Sequence, residues 1–93
     1  MKILPVDAIC LHSKEGDIVP LRIRMADEDG LYQAYSIKEY RDLSHQGTRE
    51  MPDGMYVSDN TLVFECKIIV FGHEKRVRLY NNPPNPEWKM TYL

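Results

Sequence analysis

The sequence predicts a mainly β domain: a small antiparallel barrel or sandwich of six or seven strands with at most one short helix. Three observations predict it. Turn-forming clusters recur about every ten residues, apolar residues between them alternate with period two, and helical spacing is never sustained for more than a few residues. Ninety-three residues allow one domain, 1–93, with a modest single core.

Residues 3–12 contain Ile3, Val6, Ile9 and Leu11 with weak alternation, and the Lys14-Glu15-Gly16-Asp17 cluster offers a turn that pairs them with residues 19–26. In that second segment Val19, Leu21, Ile23 and Met25 alternate with Pro20, Arg22, Arg24 and Ala26, predicting a half-buried strand with both arginines outward. Asp27 to Gly30 makes the next turn, and residues 31–37 continue the meander. Ile37, Tyr40 and Leu43 lie three apart with Gly47 beyond, which predicts one or two helical turns over 37–45.

Leu62, Phe64, Cys66, Ile68 and Val70 form the clearest inward set, and Val77 and Leu79 alternate with Arg76, Arg78 and Tyr80 after the Gly72-His73 turn. Residues 61–71 and 74–81 therefore predict a β-hairpin. Val63, Ile69 and Phe71 lie on its outer side, so the strand either bends across a barrel or is covered by a loop or a partner. The prolines of 81–86 require an extended connection. Glu87 to Leu93 predicts a last strand whose Trp88 closes one end of the core. By analogy the barrel is SH3-like or OB-like.

A formal charge of −2 provides no global field toward nucleic acid or anionic membrane. No apolar run approaches the length of a membrane span, and Asp7 interrupts the first segment before a signal sequence can develop, so no membrane and a cytoplasmic location are expected. Cys10 and Cys66 read as buried thiols rather than as a disulfide.

No constellation specifies catalysis. Cys10 and His12 share a strand face, but zinc needs two such pairs. Ser44, His45 and Asp42 are too close in sequence to form a relay, since adjacent side chains diverge. The carboxylates of Asp27 and Asp29 belong to a turn, and no glycine-rich phosphate cradle precedes a helix. No catalytic residue, metal or cofactor is assigned.

Two features suggest binding. Residues 66–80 carry four cations against one acid, Glu74. Arg76, Arg78 and Tyr80 on one strand face, with Lys67, Arg22 and Arg24, would offer phosphate forks and a stacking ring; the plain alternative is that they solvate outer strand faces. The polar stretch 44–54 presents His45, Gln46, Arg49 and Glu50 to a partner, or simply crosses between two halves of a barrel.

The strings Leu21-Arg22-Ile23-Arg24, Tyr40 to Gly47, Asn60 to Cys66 and Val77 to Tyr80 resemble a group of short single-domain proteins of gut bacteria, some encoded near mobile elements. The resemblance implies an intracellular bacterial protein and brings no activity with it. The expected function is a non-catalytic binding module engaging a protein partner, with a homodimer as one form of that. The alternative is a nucleic-acid-binding accessory protein using the outer face of the 61–81 hairpin.

Overall fold

The computed structural model describes residues 2–93. Eight strands follow one another: β1 (Leu4–His12), β2 (Ile18–Ala26), β3 (Tyr32–Asp42), β4 (Arg49–Glu50), β5 (Tyr56–Val57), β6 (Leu62–Val70), β7 (His73–Asn81) and β8 (Trp88–Tyr92). Six of them close an antiparallel barrel in the order β1-β2-β3-β6-β7-β8, while β4 and β5 form a separate two-stranded hairpin. The small antiparallel barrel expected from the turn spacing is thus present.

Two strands turn the corners of the barrel. The first residues of β1 pair with β8, from Leu4 opposite Met90 to Val6 opposite Trp88, and its later residues pair with β2. Strand β3 pairs with β2 through Tyr32 to Ser36 and then with β6 from Ile37 to Asp42. Both changes of neighbour lie near bulges, which add local twist and bend the sheet toward closure.

No helix occupies 37–45; that segment is the second half of β3, running into an irregular connection. The bulge between Ile37 and Glu39 explains the misleading spacing. One extra residue resets the alternation, so Ile37 and Tyr40 face the core from one strand although they are three apart. Tyr40 meets Phe64 edge to face at 6.2 Å.

A second bulge corrects the reading of β2. Ile9 lies opposite Arg22 but Cys10 lies opposite Pro20, so Leu21 is the extra residue. Pro20, Ile23 and Met25 are buried, whereas Leu21 is turned outward beside Arg22. The inward set is therefore split, and Val19 and Leu21 do not join Ile23 and Met25.

The β6–β7 hairpin follows the expected register, from Leu62 opposite Asn81 to Val70 opposite His73. Its inner residues Phe64, Cys66, Ile68, Val77 and Leu79 form the main core with Val6, Ile23, Met25 and Met90, and Trp88 closes on Phe64 at 6.3 Å. Each such large side chain contributes roughly 1.5–3 kcal/mol through removal from water. Cys66 is buried as expected, but Cys10 is only half-buried.

The stretch 44–54 does more than cross between barrel halves. With β5 it folds back over the outside of β6 and β7, burying Met51 and Val57 against Val63 and Tyr80 as a second core, with Leu43 and Met55 at its edge. Met51-Pro52-Asp53-Gly54 forms the turn: Gly54 N–H donates to the Met51 carbonyl at 2.9 Å, and Gly54 takes the left-handed φ of 86° that the hairpin requires.

Candidate functional site

Sidedness was read correctly on β7, but exposure was not. Arg78 and Tyr80 do point away from the barrel axis, yet they are 5% and 2% exposed because the β4–β5 hairpin covers them. They are not displayed for phosphate or base contact. They belong instead to a buried polar network centred on Asp53, whose side chain is 1% exposed. Asp53 Oδ2 accepts hydrogen bonds from the Tyr80 hydroxyl at 2.6 Å, the Thr91 hydroxyl at 2.6 Å and Arg78 at 3.2 Å. Its Oδ1 accepts from the Met55 N–H at 3.1 Å.

Arg78 also donates to Glu65 at 2.6 Å, and Glu65 accepts from Arg41 at 2.9 Å. Burial alone would raise the Asp53 carboxyl, but the bonds from Thr91, Tyr80 and Met55 and the Arg78 charge outweigh it and hold it below its ordinary value. Glu65 is likewise held low, chiefly by its hydrogen bond from Arg78. Burial, together with the bond to Asp53, pushes the Tyr80 hydroxyl up, so it stays protonated and donating. The network clamps the hairpin to the barrel; among the described residues its only buried side-chain polar atom without a partner is Arg78 Nε.

The remaining basic candidates do not assemble into one surface: Lys67 and Arg76 face each other across β6 and β7, while Arg22 and Arg24 lie on β2 across the barrel. Arg24 pairs with Asp7 at 2.6 Å and lies 5.3 Å from the centre of the Tyr32 ring. Lys67 lies between Glu39 at 3.2 Å and Glu74 at 3.4 Å. Arg22 is exposed on β2, and Arg76 is exposed on β7, beside Lys67 and Glu39. Acids therefore interleave the cations.

The loop candidates divide. Arg49 is turned inward, donating to the carbonyls of Leu43 at 2.7 Å and Gly47 at 3.2 Å, and so braces the crossover. His45 is exposed in a left-handed conformation, with Nδ1 2.7 Å from the Asp59 carbonyl. Gln46 and Glu50 are exposed, Glu50 opposite Tyr56. The Asp42, Ser44 and His45 side chains form no relay: Ser44 Oγ exchanges hydrogen bonds with the Val63 backbone, and Asp42 accepts from the Ser44 N–H. Cys10 and His12 are joined by no further ligand, and no three His, Cys, Asp or Glu side chains converge among the described residues.

Two surfaces not anticipated from the sequence stand open. On the outer face of β1 and β2, Ile9, Leu11 and Leu21 are 55%, 51% and 46% exposed, and no strand or loop among the described residues buries them. The bulge at Leu21 creates this patch, and an unbroken alternation conceals it. At the end of the barrel near the β2–β3 and β6–β7 turns, a cleft of about 450 Å³ has Leu4, Met25 and Val70 in its walls. Tyr35, Phe71 and Tyr92 add aromatic surface, and Asp27, Glu28 and Asp29 lie at the same end. Of the three outward hydrophobes expected on β6, Val63 is buried beneath the hairpin, Ile69 is half-buried, and Phe71 is 86% exposed at the turn.

No protein-family model, curated protein or solved structure matches this chain. No helix among the described residues is long and apolar enough to cross a membrane.

Proposed function

We propose that this protein is a non-catalytic binding module that engages a protein partner through the outer face of the β1–β2 hairpin. One observation carries the reading: the barrel covers its β6–β7 flank with its own hairpin, while Ile9, Leu11 and Leu21 stay about half exposed on the opposite flank. Contiguous exposed aliphatics, unlike singly scattered ones, are a feature of interaction surfaces. Arg22 borders the patch with no ion pair among the described residues, whereas Arg24 is matched by Asp7, so a partner with an apolar centre and a carboxylate near Arg22 complements it. Nucleic acid binding loses support because Arg78 and Tyr80 are covered and the other cations alternate with acids.

The test compares the wild-type chain with an Ile9→Glu/Leu21→Glu variant in parallel affinity capture from the source cell, followed by calorimetry with the purified captured protein. Retention by the first and loss by the second is expected, with 1:1 binding in calorimetry. Identical capture by both forms would refute the reading. A chain that sediments as a dimer, and becomes monomeric in the variant, would assign the patch to a second copy instead.

A further inference from the structure

The barrel-end cleft lies apart from the β1–β2 face, and we infer that it binds an organic cation, the arginine or lysine side chain of a protein segment. Tyr35, Phe71 and Tyr92 all line the cleft, and Phe71 holds its ring almost wholly in solvent at the tip of the β6–β7 turn. Aromatic faces attract guanidinium and ammonium groups through their quadrupoles, and apolar walls accept the methylene stem that carries such a group.

Charge selects the same occupant. Asp27, Glu28 and Asp29 line the cleft together with a single cation, Lys2. Asp27 is committed to its own turn: Oδ1 accepts from the Asp29 and Leu31 N–H groups at 2.9 Å, and Oδ2 from the Gln33 amide at 3.3 Å. These bonds, led by the one from Leu31, hold its carboxyl below the ordinary value. Among the described residues, Glu28 and Asp29 have no side-chain ion pair, so their carboxylates face solvent at the acidic edge.

A cation with N–H donors satisfies both the rings and the carboxylates, whereas a neutral side chain satisfies only the walls. The cleft is open on one side, so a side chain can enter it while the chain that carries it stays outside. The volume of about 450 Å³ is ample for one such side chain.

The experiment is an amide-resolved NMR titration of the full chain with an acetylated, amidated Ala-Arg-Ala peptide, its citrulline counterpart and free arginine. The arginine peptide is expected to shift the amides of Tyr35, Phe71, Gly72 and Tyr92 with a dissociation constant of order 1 mM, as suits a single side chain. The citrulline peptide is expected to bind at least about tenfold more weakly, free arginine more weakly than the arginine peptide because it lacks the flanking chain, and added salt to weaken the arginine peptide. A Glu28→Gln/Asp29→Asn variant is expected to erase the preference for arginine over citrulline, and Phe71→Asn to weaken both peptides while keeping the barrel spectrum. Equal binding of the two peptides, or no shifts at these amides at about 20 mM peptide, would overturn the inference. Free arginine binding as tightly as the peptide would overturn the assignment to a protein segment. None of these measurements involves Ile9, Leu11 or Leu21, so either surface can fail without the other.

Discussion

Replacing Asp53 with alanine removes the acceptor at the centre of the clamp between the β4–β5 hairpin and the barrel. Among the described residues, Tyr80 and Thr91 lose their only side-chain acceptor, at 2.6 Å each, and Arg78 loses the weaker of its two carboxylates, at 3.2 Å rather than the 2.6 Å of Glu65. Truncating one partner of a buried ion pair costs about 3–5 kcal/mol. Because Glu65 still neutralises Arg78, the lower end applies, about 3 kcal/mol. An independent ceiling comes from the hairpin itself. Once the loss exceeds what docking Met51 and Val57 contributes, each roughly 1.5–3 kcal/mol, the hairpin detaches and the barrel loses no more.

Urea denaturation followed by Trp88 fluorescence is expected to show this loss, with a fall of roughly 12–24 °C in Tm. Hydrogen exchange locates it: the backbone amides of Met51 and Val57 are expected to lose protection while those of Cys66 and Val77 keep most of theirs. Tyr80→Phe on the Asp53→Ala background is expected to add little, since both act on one bond. A stability loss under about 1 kcal/mol, the size of one ordinary hydrogen bond, or amides of Met51 and Val57 that stay as protected in the variant as those of Cys66 and Val77, would refute the clamp.

Three further predictions follow from the same contacts. Asp53 and Glu65 have folded values depressed below 3.8 and 4.5, so their contribution is complete above those unfolded values and is lost as pH falls through the folded ones. Stability of the wild type is expected to decline in the acid range, and a Glu65→Gln/Asp53→Asn variant, measured by urea titration at several pH values, is expected to show a shallower decline; equal slopes refute this. Arg78→Glu places a carboxylate beside Glu65 and Asp53 and is expected to cost about 3–5 kcal/mol, whereas Arg76→Glu, on the same face of the strand but beyond the cover of the hairpin, is expected to stay within about 0.5 kcal/mol; similar melting points for the two variants contradict the burial of Arg78. Phe71 and Gly72 both have positive φ, 50° and 78°, as a two-residue hairpin turn requires. Phe71→Asn, which suits that backbone, is expected to raise stability by about 0.5–1 kcal/mol, and a lower Tm disproves it.

The turns and the β6–β7 ribbon were legible in the sequence because each depends on a local pattern: Gly72 at the turn, and strict alternation from Leu62 to Tyr80 that survives in the register. Bulges are not legible in this way. The extra residue at Leu21 resets the parity of β2, and the one near Lys38 makes Ile37 and Tyr40 resemble successive turns of a helix. Covering is the second kind of information that alternation lacks. Period two tells which side of a sheet Arg78 takes, not whether another element lies upon it. A signal for the cover was present nonetheless: Met51 is apolar within the polar stretch 44–54, Met55 and Val57 follow directly after it, and all three needed a surface to bury against. The reach of Asp53 to Tyr80, 27 positions along the chain, follows only once that surface is identified as the outside of β6 and β7.

The unequal treatment of the two flanks is the strongest physical argument for a binding role. A barrel closed by bulged strands has no need of exposed aliphatics at Ile9, Leu11 and Leu21, because closure requires the bend and not the side chain at the bulge. Polar residues there would keep the same backbone and lower the tendency to associate. The β6–β7 flank shows the alternative available to the same chain: its outward Val63 and Tyr80 are covered by the β4–β5 hairpin and locked by the Asp53 network. Phe71 repeats the pattern on a smaller scale, since it holds a bulky ring in solvent at a backbone position that asparagine or glycine occupies at lower cost. In each case the local choice runs against stability and solubility while the surrounding fold obeys both, which is where functional constraint is expected to leave its mark.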